Sequence, residues 1–175
     1  MTDKELLEYC NEYLIYDAES GILTWKKRVS NRSSRVIGSE AGSIGSKGYK
    51  RITFSWGEES YHRISFGMYH GYIPEIVDHK DRDPLNNRIT NLRAATHSEN
   101  QRNMKPTIRN KSGYKGVSWN KKNKIWQATI QYDKKNRNLG SFKCKHEAAR
   151  VYNLAALMNH GEFAYINMIS SENDL

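Results

Sequence analysis

The residues most capable of chemistry are an adjacent carboxylate and imidazole, Asp78-His79, followed by Asn91 twelve positions after the histidine and Asn100 twenty-one positions after it. Hard cations such as Mg²⁺ take oxygen ligands and keep several waters, so one carboxylate and one amide oxygen suffice where substrate phosphates complete the shell. A neutral histidine beside such an ion can accept a proton from an attacking water. Together these groups suit metal-assisted hydrolysis of a phosphodiester. An Asp-His pair alone is equally the composition of a surface turn, and asparagines collect in loops. The weight lies in the four residues together, with His97 as a second-ranked competing ligand three residues before Asn100.

Holding those side chains requires particular elements around them. Glu75-Ile76-Val77 is β-prone and leads into the pair, and Asp81 to Asn87 with Pro84 reads as a turn-rich loop. Ile89 to Arg93 reads as a short return strand, and Thr96 with Glu99 matches a helix capping box, which puts Asn100 on the first turn of a helix. The expected unit is strand, loop, strand, helix.

This segment resembles the HNH endonuclease motif, in the variant of phage-encoded homing endonucleases whose last histidine is an asparagine. The resemblance rests on Asp78-His79, Asn91 and Asn100, with the wording Asn-Asn-Arg-Ile-Thr-Asn-Leu-Arg and Ser-Glu-Asn-Gln-Arg-Asn around them. It implies a ββα-metal nuclease core over about 74–104, with His79 as general base, Asp78 and Asn100 as metal ligands, and Asn91 holding the histidine-bearing loop. It also implies Mg²⁺, or alternatively Mn²⁺, as cofactor, double-stranded DNA as partner, and a phage-encoded protein acting in the host cytoplasm. Tyr61-His62-Arg63-Ile64 resembles the sequence preceding this catalytic loop. His62 is read as a packed histidine, with a part in the metal centre as the alternative.

Composition agrees with a folded, intracellular, nucleic-acid-facing chain. Hydrophobic residues make up 37% of 175 residues, enough for one substantial or two small domains. No apolar run is long enough to span a membrane, and the N-terminus is acidic where a signal peptide is basic. Cys10 and Cys144 are the two cysteines, which excludes a cysteine-based zinc site and argues against a disulfide framework. The net charge is +9, and 14 of the 28 Lys and Arg residues fall between Gln101 and Arg150 with two acids, Asp133 and Glu147. A basic half so poor in acids points to a polyanion.

Before the motif, Lys4 to Tyr16 has the apolar spacing of one amphipathic helix. Ile22 to Trp25 is β-like, and the basic, serine-rich run from Lys26 through Ser34 is a connector or a phosphate-contacting arm. Gly38 to Gly48 lacks the Lys-Ser/Thr ending of a nucleotide-binding loop and reads as tight turns. Tyr49 to Phe54 and Ser60-Tyr61 form a hairpin broken at 56–59, and 62–70 a short helix.

After the motif, a linker over 105–112 separates a nuclease domain at 1–104 from a second domain at 113–168. There Tyr114 to Trp119, Ile125 to Tyr132 and Asn138 to Phe142 are β-like, and Lys145 to Asn159 carries a helical stripe of Ala148, Val151, Tyr152, Ala155 and Ala156. The fold class is therefore α+β, ending in a three-stranded antiparallel sheet packed on one helix. Trp126, Ala128 and Ile130 should face that helix, leaving Gln127, Thr129 and Gln131 on a bare polar face suited to the major groove. The words Tyr-Lys-Gly-Val, Trp-Gln-Ala-Thr-Ile, Leu-Gly-Ser-Phe and His-Glu-Ala-Ala-Arg-Val-Tyr resemble the APETALA2-type DNA-binding domain, over about 113–167. The basic and tryptophan positions that read DNA in that family are largely replaced. Expected DNA contacts are Lys115, Ser118, Asn120, Gln127, Thr129, Gln131, Arg137 and Asn138.

The resulting expectation is a site-preferring DNA nickase of the homing type, monomeric because each chain has one site, with no membrane or protein partner. A catalytically inactive DNA-binding regulator is the alternative, and an RNA-binding protein the third reading.

Overall fold

A computed structural model describes residues 1–28 and 36–169. Residues 29–35 of the basic, serine-rich run lie outside the described residues, so the choice between connector and arm is not addressed. The chain divides into two compact units, Met1–Ser98 and Glu99–Leu175. Among the described residues, no helix is long and apolar enough to cross a membrane.

The first unit opens with α1, Asp3–Tyr13, capped by Thr2: Glu5 N donates to Thr2 Oγ1 and Thr2 N to Glu5 Oε2, a reciprocal capping box. Contrary to the single helix expected over 4–16, the chain leaves the helix at Tyr13 and enters β1, Leu14–Asp17, which pairs antiparallel with β2, Ile22–Trp25. Leu14 is buried from the strand as well as it would be from a helix, so the apolar spacing alone did not separate the two. β3 (Ser43–Ile44), β4 (Lys50–Phe54) and β5 (Gly57–Ser60) form a second sheet. β5 runs where a break was expected, because the hairpin turns within two residues and Trp56 stacks on Phe54 with ring centroids 4.7 Å apart.

α2, Tyr61–His70, stops at Gly71, whose φ of 79° is the left-handed conformation glycine adopts without cost. It packs on a hairpin of β6 (Ile76–His79) and β7 (Leu92–Ala95) through Phe66, Val77 and Leu92. The return strand starts later than expected: Ile89–Asn91 form one 3₁₀ turn, since Arg88 O accepts from both Asn91 N and Leu92 N. α3, His97–Asn103, follows, and the boundary between the units falls inside it.

The second unit has the expected sheet and helix. β8 (Val117–Asn120), β9 (Ile125–Tyr132) and β10 (Lys135–Phe142) lie in the order β10-β9-β8, all antiparallel, with α4 (Lys145–His160) packed across β9. Ala128 and Ile130 meet Ala148, Ala149, Tyr152 and Ala156, as the period-two and helical patterns require. The compact unit begins at Glu99, so the stretch 105–112, expected as an interdomain linker, lies within it.

Gly116 marks the tightest approach in this core, for a Cβ there would meet the Tyr152 ring at 2.0 and 2.2 Å and Thr129 O at 2.7 Å. Gly116→Ala should therefore lower stability in urea unfolding by about 2 kcal/mol or more, combining overpacking with a strained positive φ. Gly113→Ala, at φ +79° with nothing within 4 Å, should cost only the backbone strain.

Candidate active site

Asp78 and His79 end β6, and both are buried at 6% exposure. Arg93 is the direct cross-strand partner of Asp78, so the two side chains share a face of the hairpin. Arg93 Nε and Nη2 both donate to Asp78 Oδ2, at 2.9 and 2.7 Å, and both residues are nearly sealed from solvent. The carboxylate nominated as a metal ligand is thus oriented by a buried guanidinium.

His79 Nε2 lies 3.1 Å from Asn87 Oδ1. The Asn87 amide nitrogen donates to Leu85 O, which fixes Oδ1 as an acceptor and so places the histidine proton on Nε2. Nδ1 is then the basic nitrogen of the ring. Asn87 is itself held by the β1–β2 hairpin: the Tyr16 hydroxyl donates to Asn87 O at 2.7 Å, and Ile89 N donates to Ala18 O at 3.2 Å. Burial pushes the Tyr16 phenol up to about 12, with Asp17 and Tyr69 adding to the shift, so it remains a donor. A Cβ on Gly21 would come within 2.4–2.8 Å of the Asn87 and Arg88 backbone, so the hairpin tip lies directly against this segment.

The loop between the strands closes on Asn91 and Asp81. Asn91 Nδ2 donates to Asp81 Oδ1 and Asn86 O, Asn91 Oδ1 accepts from Asp81 N, and Asn91 O accepts from Lys80 N. Burial pushes the Asp81 carboxyl up, but hydrogen bonds from Asp83 N, Asn86 and Asn91, with the His79 charge, leave it lowered overall. Asn91, given the loop-holding role by the resemblance, is the residue that makes these bonds.

Two further rings stand beside His79. His62 lies 5.0 Å away between centroids and Tyr49 lies 6.2 Å away, with 5.8 Å between Tyr49 and His62. Burial pushes His62 down to about 3, and the charges of His79, Arg63 and Arg51 act in the same direction. His62 is therefore a neutral ring at ordinary pH. His97 opens α3, and Asn100 is its fourth residue, on the second unit's side of the boundary.

In the second unit, the sheet register sets out rows of uncharged hydrogen-bonding side chains: Ser118, Gln127 and Ser141; Thr129 and Asn138; Gln131 and Asn136. Asn120 shares this face and donates Nδ2–H to Gln127 Oε1 at 3.3 Å, while its side-chain Oδ1 accepts from Lys122 N and Asn123 N in the β8–β9 turn. Two expected contacts are placed otherwise. Arg137 opposes Ile130, hence stands on the helix side of the sheet, with its guanidinium 5.0 Å from the Tyr132 ring centroid. The Lys115 ammonium donates to Gln101 O, Arg102 O and Met104 O at 2.7–2.9 Å, at the C-terminal end of α3, where the helix dipole favours a cation.

The profile of the family described as HNH endonuclease matches residues 60–102, which contain α2, Asp78, His79 and both asparagines of the motif. Protein 3.8 of Escherichia phage T7 is 38% identical over 96 residues, covering 54% of this chain and 78% of that protein. The chain contains an HNH endonuclease domain. An uncharacterized HNH endonuclease, L560, of Acanthamoeba polyphaga mimivirus is 33% identical over 129 residues, 72% of this chain and 66% of that protein. No solved structure matches significantly.

Sequence reasoning missed Arg93, Asn87, Asp81, Tyr16 and Tyr49. Arg93 lay inside the quoted motif, but only the register shows that it faces Asp78. Asn87 and Asp81 carried a signal as polar residues of the loop, whereas Tyr16 and Tyr49 reach the site from elements more than twenty-five residues away in sequence.

Removing the guanidinium should strand a buried charge. Arg93→Ala is expected to cost about 3–5 kcal/mol in urea unfolding, and Arg93→Ala with Asp78→Ala together to cost less than the sum of the two single changes. Additive losses would show that the pair does not couple. The His62 contribution should depend on pH with a defined sign. Its folded pKa lies below the unfolded value of 6.5, so its stabilising effect is full above pH 6.5 and is lost as pH falls toward about 3, because the unfolded chain then binds a proton that the folded chain refuses. Between pH 6.5 and 4.5 the wild-type stability should fall more steeply than that of His62→Gln, by about 1.4 kcal/mol per pH unit. Equal slopes would contradict the burial of a neutral His62.

Proposed function

We propose that the chain is a metal-dependent DNA endonuclease that hydrolyses phosphodiester bonds in duplex DNA, acting as a monomeric, site-preferring nickase of the homing type. The observation that carries this reading is His79, buried at a strand end beside Asp78 with its proton held on Nε2 by Asn87, inside the stretch that matches the HNH endonuclease profile. The viral relatives support a phage setting.

The donor chemistry fits a hard divalent cation. Asp78 supplies a carboxylate, and among the described residues no group of three or more His, Cys, Asp or Glu gathers into the closed cage a structural zinc would need. Asp78, with Asn100 assigned by its spacing from His79, would hold Mg²⁺ or Mn²⁺, and the bound cation would polarise the scissile phosphoryl group and stabilise charge on the leaving oxygen. The chain's own residues do the rest. His79 takes a proton from the attacking water at Nδ1, while the Nε2–H bond to Asn87 fixes the tautomer and the ring plane. Arg93 orients the Asp78 carboxylate. Asn91 and Asp81 keep the loop that carries Asn87 closed.

We read the second unit as an APETALA2-like domain that holds duplex DNA, on the support of its three-stranded sheet crossed by a helix and its basic excess. Ser118, Asn120, Gln127, Thr129, Gln131 and Asn138 share one uncharged polar face, the chemistry that pairs with base edges. Lysines and arginines elsewhere in the unit would supply phosphate affinity.

Incubation with supercoiled plasmid tests the reading. Nicked circles should accumulate with Mg²⁺, disappear with EDTA, and precede any linear product. His79→Ala should cut at least about a hundredfold more slowly with DNA affinity retained, the usual scale of general-base catalysis. Undiminished cleavage by His79→Ala would remove the histidine from its role, and linear product without a nicked intermediate would refute single-strand cutting.

A further inference from the structure

We propose that Tyr49 forms a nucleoside-binding subsite beside the catalytic histidine, its ring stacking on the base that flanks the scissile phosphate. The proposal rests on the nuclease reading above and adds a substrate contact to it.

Tyr49 is 44% exposed, so one face of its ring is open to a ligand. It is absent from the core clusters of the first unit, and its ring contacts are with His62 and His79. The backbone presents it rigidly. Gly45 N donates to Tyr49 O at 2.8 Å and Gly48 N to Gly45 O at 2.9 Å, closing a tight turn in which Gly48 takes a φ of +79°. The next two side chains are tied elsewhere: Lys50 pairs with Glu40 and lies over the Tyr61 ring, and Arg51 pairs with Glu58. A half-exposed aromatic ring therefore stands beside His79 and His62.

The distance suits a flanking nucleoside. Successive phosphates on one strand advance by about 3.4 Å along the helix axis. The Tyr49 ring centroid lies 6.2 Å from that of His79, which puts the aromatic face next to the group proposed to serve the scissile phosphate. Aromatic faces accept any base, because every base has a π face, and such stacking tolerates sequence.

The test begins by mapping the nick made by the wild type on plasmid and moving that site into a synthetic duplex. Tyr49→Ala should lower kcat/KM by roughly five- to a hundredfold, the range for loss of one stacked base. Tyr49→Phe should recover most of it, since the ring and not the hydroxyl makes the contact. Duplexes with a single abasic nucleotide on either side of the mapped phosphate should include one that slows the wild type by a similar factor and slows Tyr49→Ala no further. If Tyr49→Ala misfolds by circular dichroism, Tyr49→Leu takes its place, with the same loss expected. A 2-aminopurine at the sensitive position should be quenched on binding His79→Ala and less quenched when Tyr49→Ala is added. Absence of nicking by the wild type refutes the nuclease reading and this subsite with it. Nicking by the wild type with unchanged kcat/KM in Tyr49→Ala, equal losses in the Phe and Ala variants, or additive losses on the abasic duplex overturn this subsite alone.

Discussion

The clamp between the Asn91 amide and the Asp81 carboxylate is the constraint on which the hairpin bearing Asp78 and His79 depends. Asn91 donates to Asp81 and to Asn86 O and accepts from Asp81 N, so one side chain closes the loop from Asp81 to Asn91 at both ends. With the loop closed, Asn87 lies under His79 and accepts its Nε2 proton. A histidine acts as a base only through the nitrogen that lacks the proton, and that choice is made by the partner of the other nitrogen. The backbone grip of the β1–β2 hairpin on Asn87 ties the choice to a part of the fold remote in sequence.

The Asp78–Arg93 pair adds a second constraint of a different kind. A buried ion pair seldom stabilises a fold relative to apolar residues, because both charges lose their hydration. Its value here lies in direction: two donors on one carboxylate oxygen fix the plane of the carboxylate at a strand end. The site thus combines a carboxylate and an imidazole on consecutive residues of one strand, each held by its own partner, Arg93 or Asn87.

The second unit separates charge from hydrogen-bonding pattern. Its sheet face is polar but uncharged, with Ser, Gln, Thr and Asn in cross-strand rows, while Arg137 stands on the other side and the Lys115 charge serves the end of α3. Lys115 also ties that helix end to the segment bonded by Asn167, whose side chain accepts from Lys115 N and donates to Lys115 O. The C-terminal end of the helix bearing Asn100 is therefore held by a residue of the second unit.

The sequence by itself nominated the candidate site residues and most of the local elements. Asp78, His79, Asn91 and Asn100 were legible from type and spacing, and the sheet and helix of the second unit from period-two and period-3.6 apolar patterns, because both are local properties of the chain. Where two local readings bury the same residue, the pattern could not choose: Leu14 is buried as the first residue of a strand where a longer helix was expected, and Asn91 sits in a 3₁₀ turn where a strand was expected. Only the tertiary structure decided what meets the chemical groups. Strand register set Arg93 against Asp78 and turned Arg137 away from the polar face, and the packing of distant elements brought Tyr16, Gly21, Tyr49 and His62 to the catalytic loop. Those pairings join residues far apart along the chain, and no spacing rule along the sequence encodes them, because they arise from how separate apolar faces bury against one another.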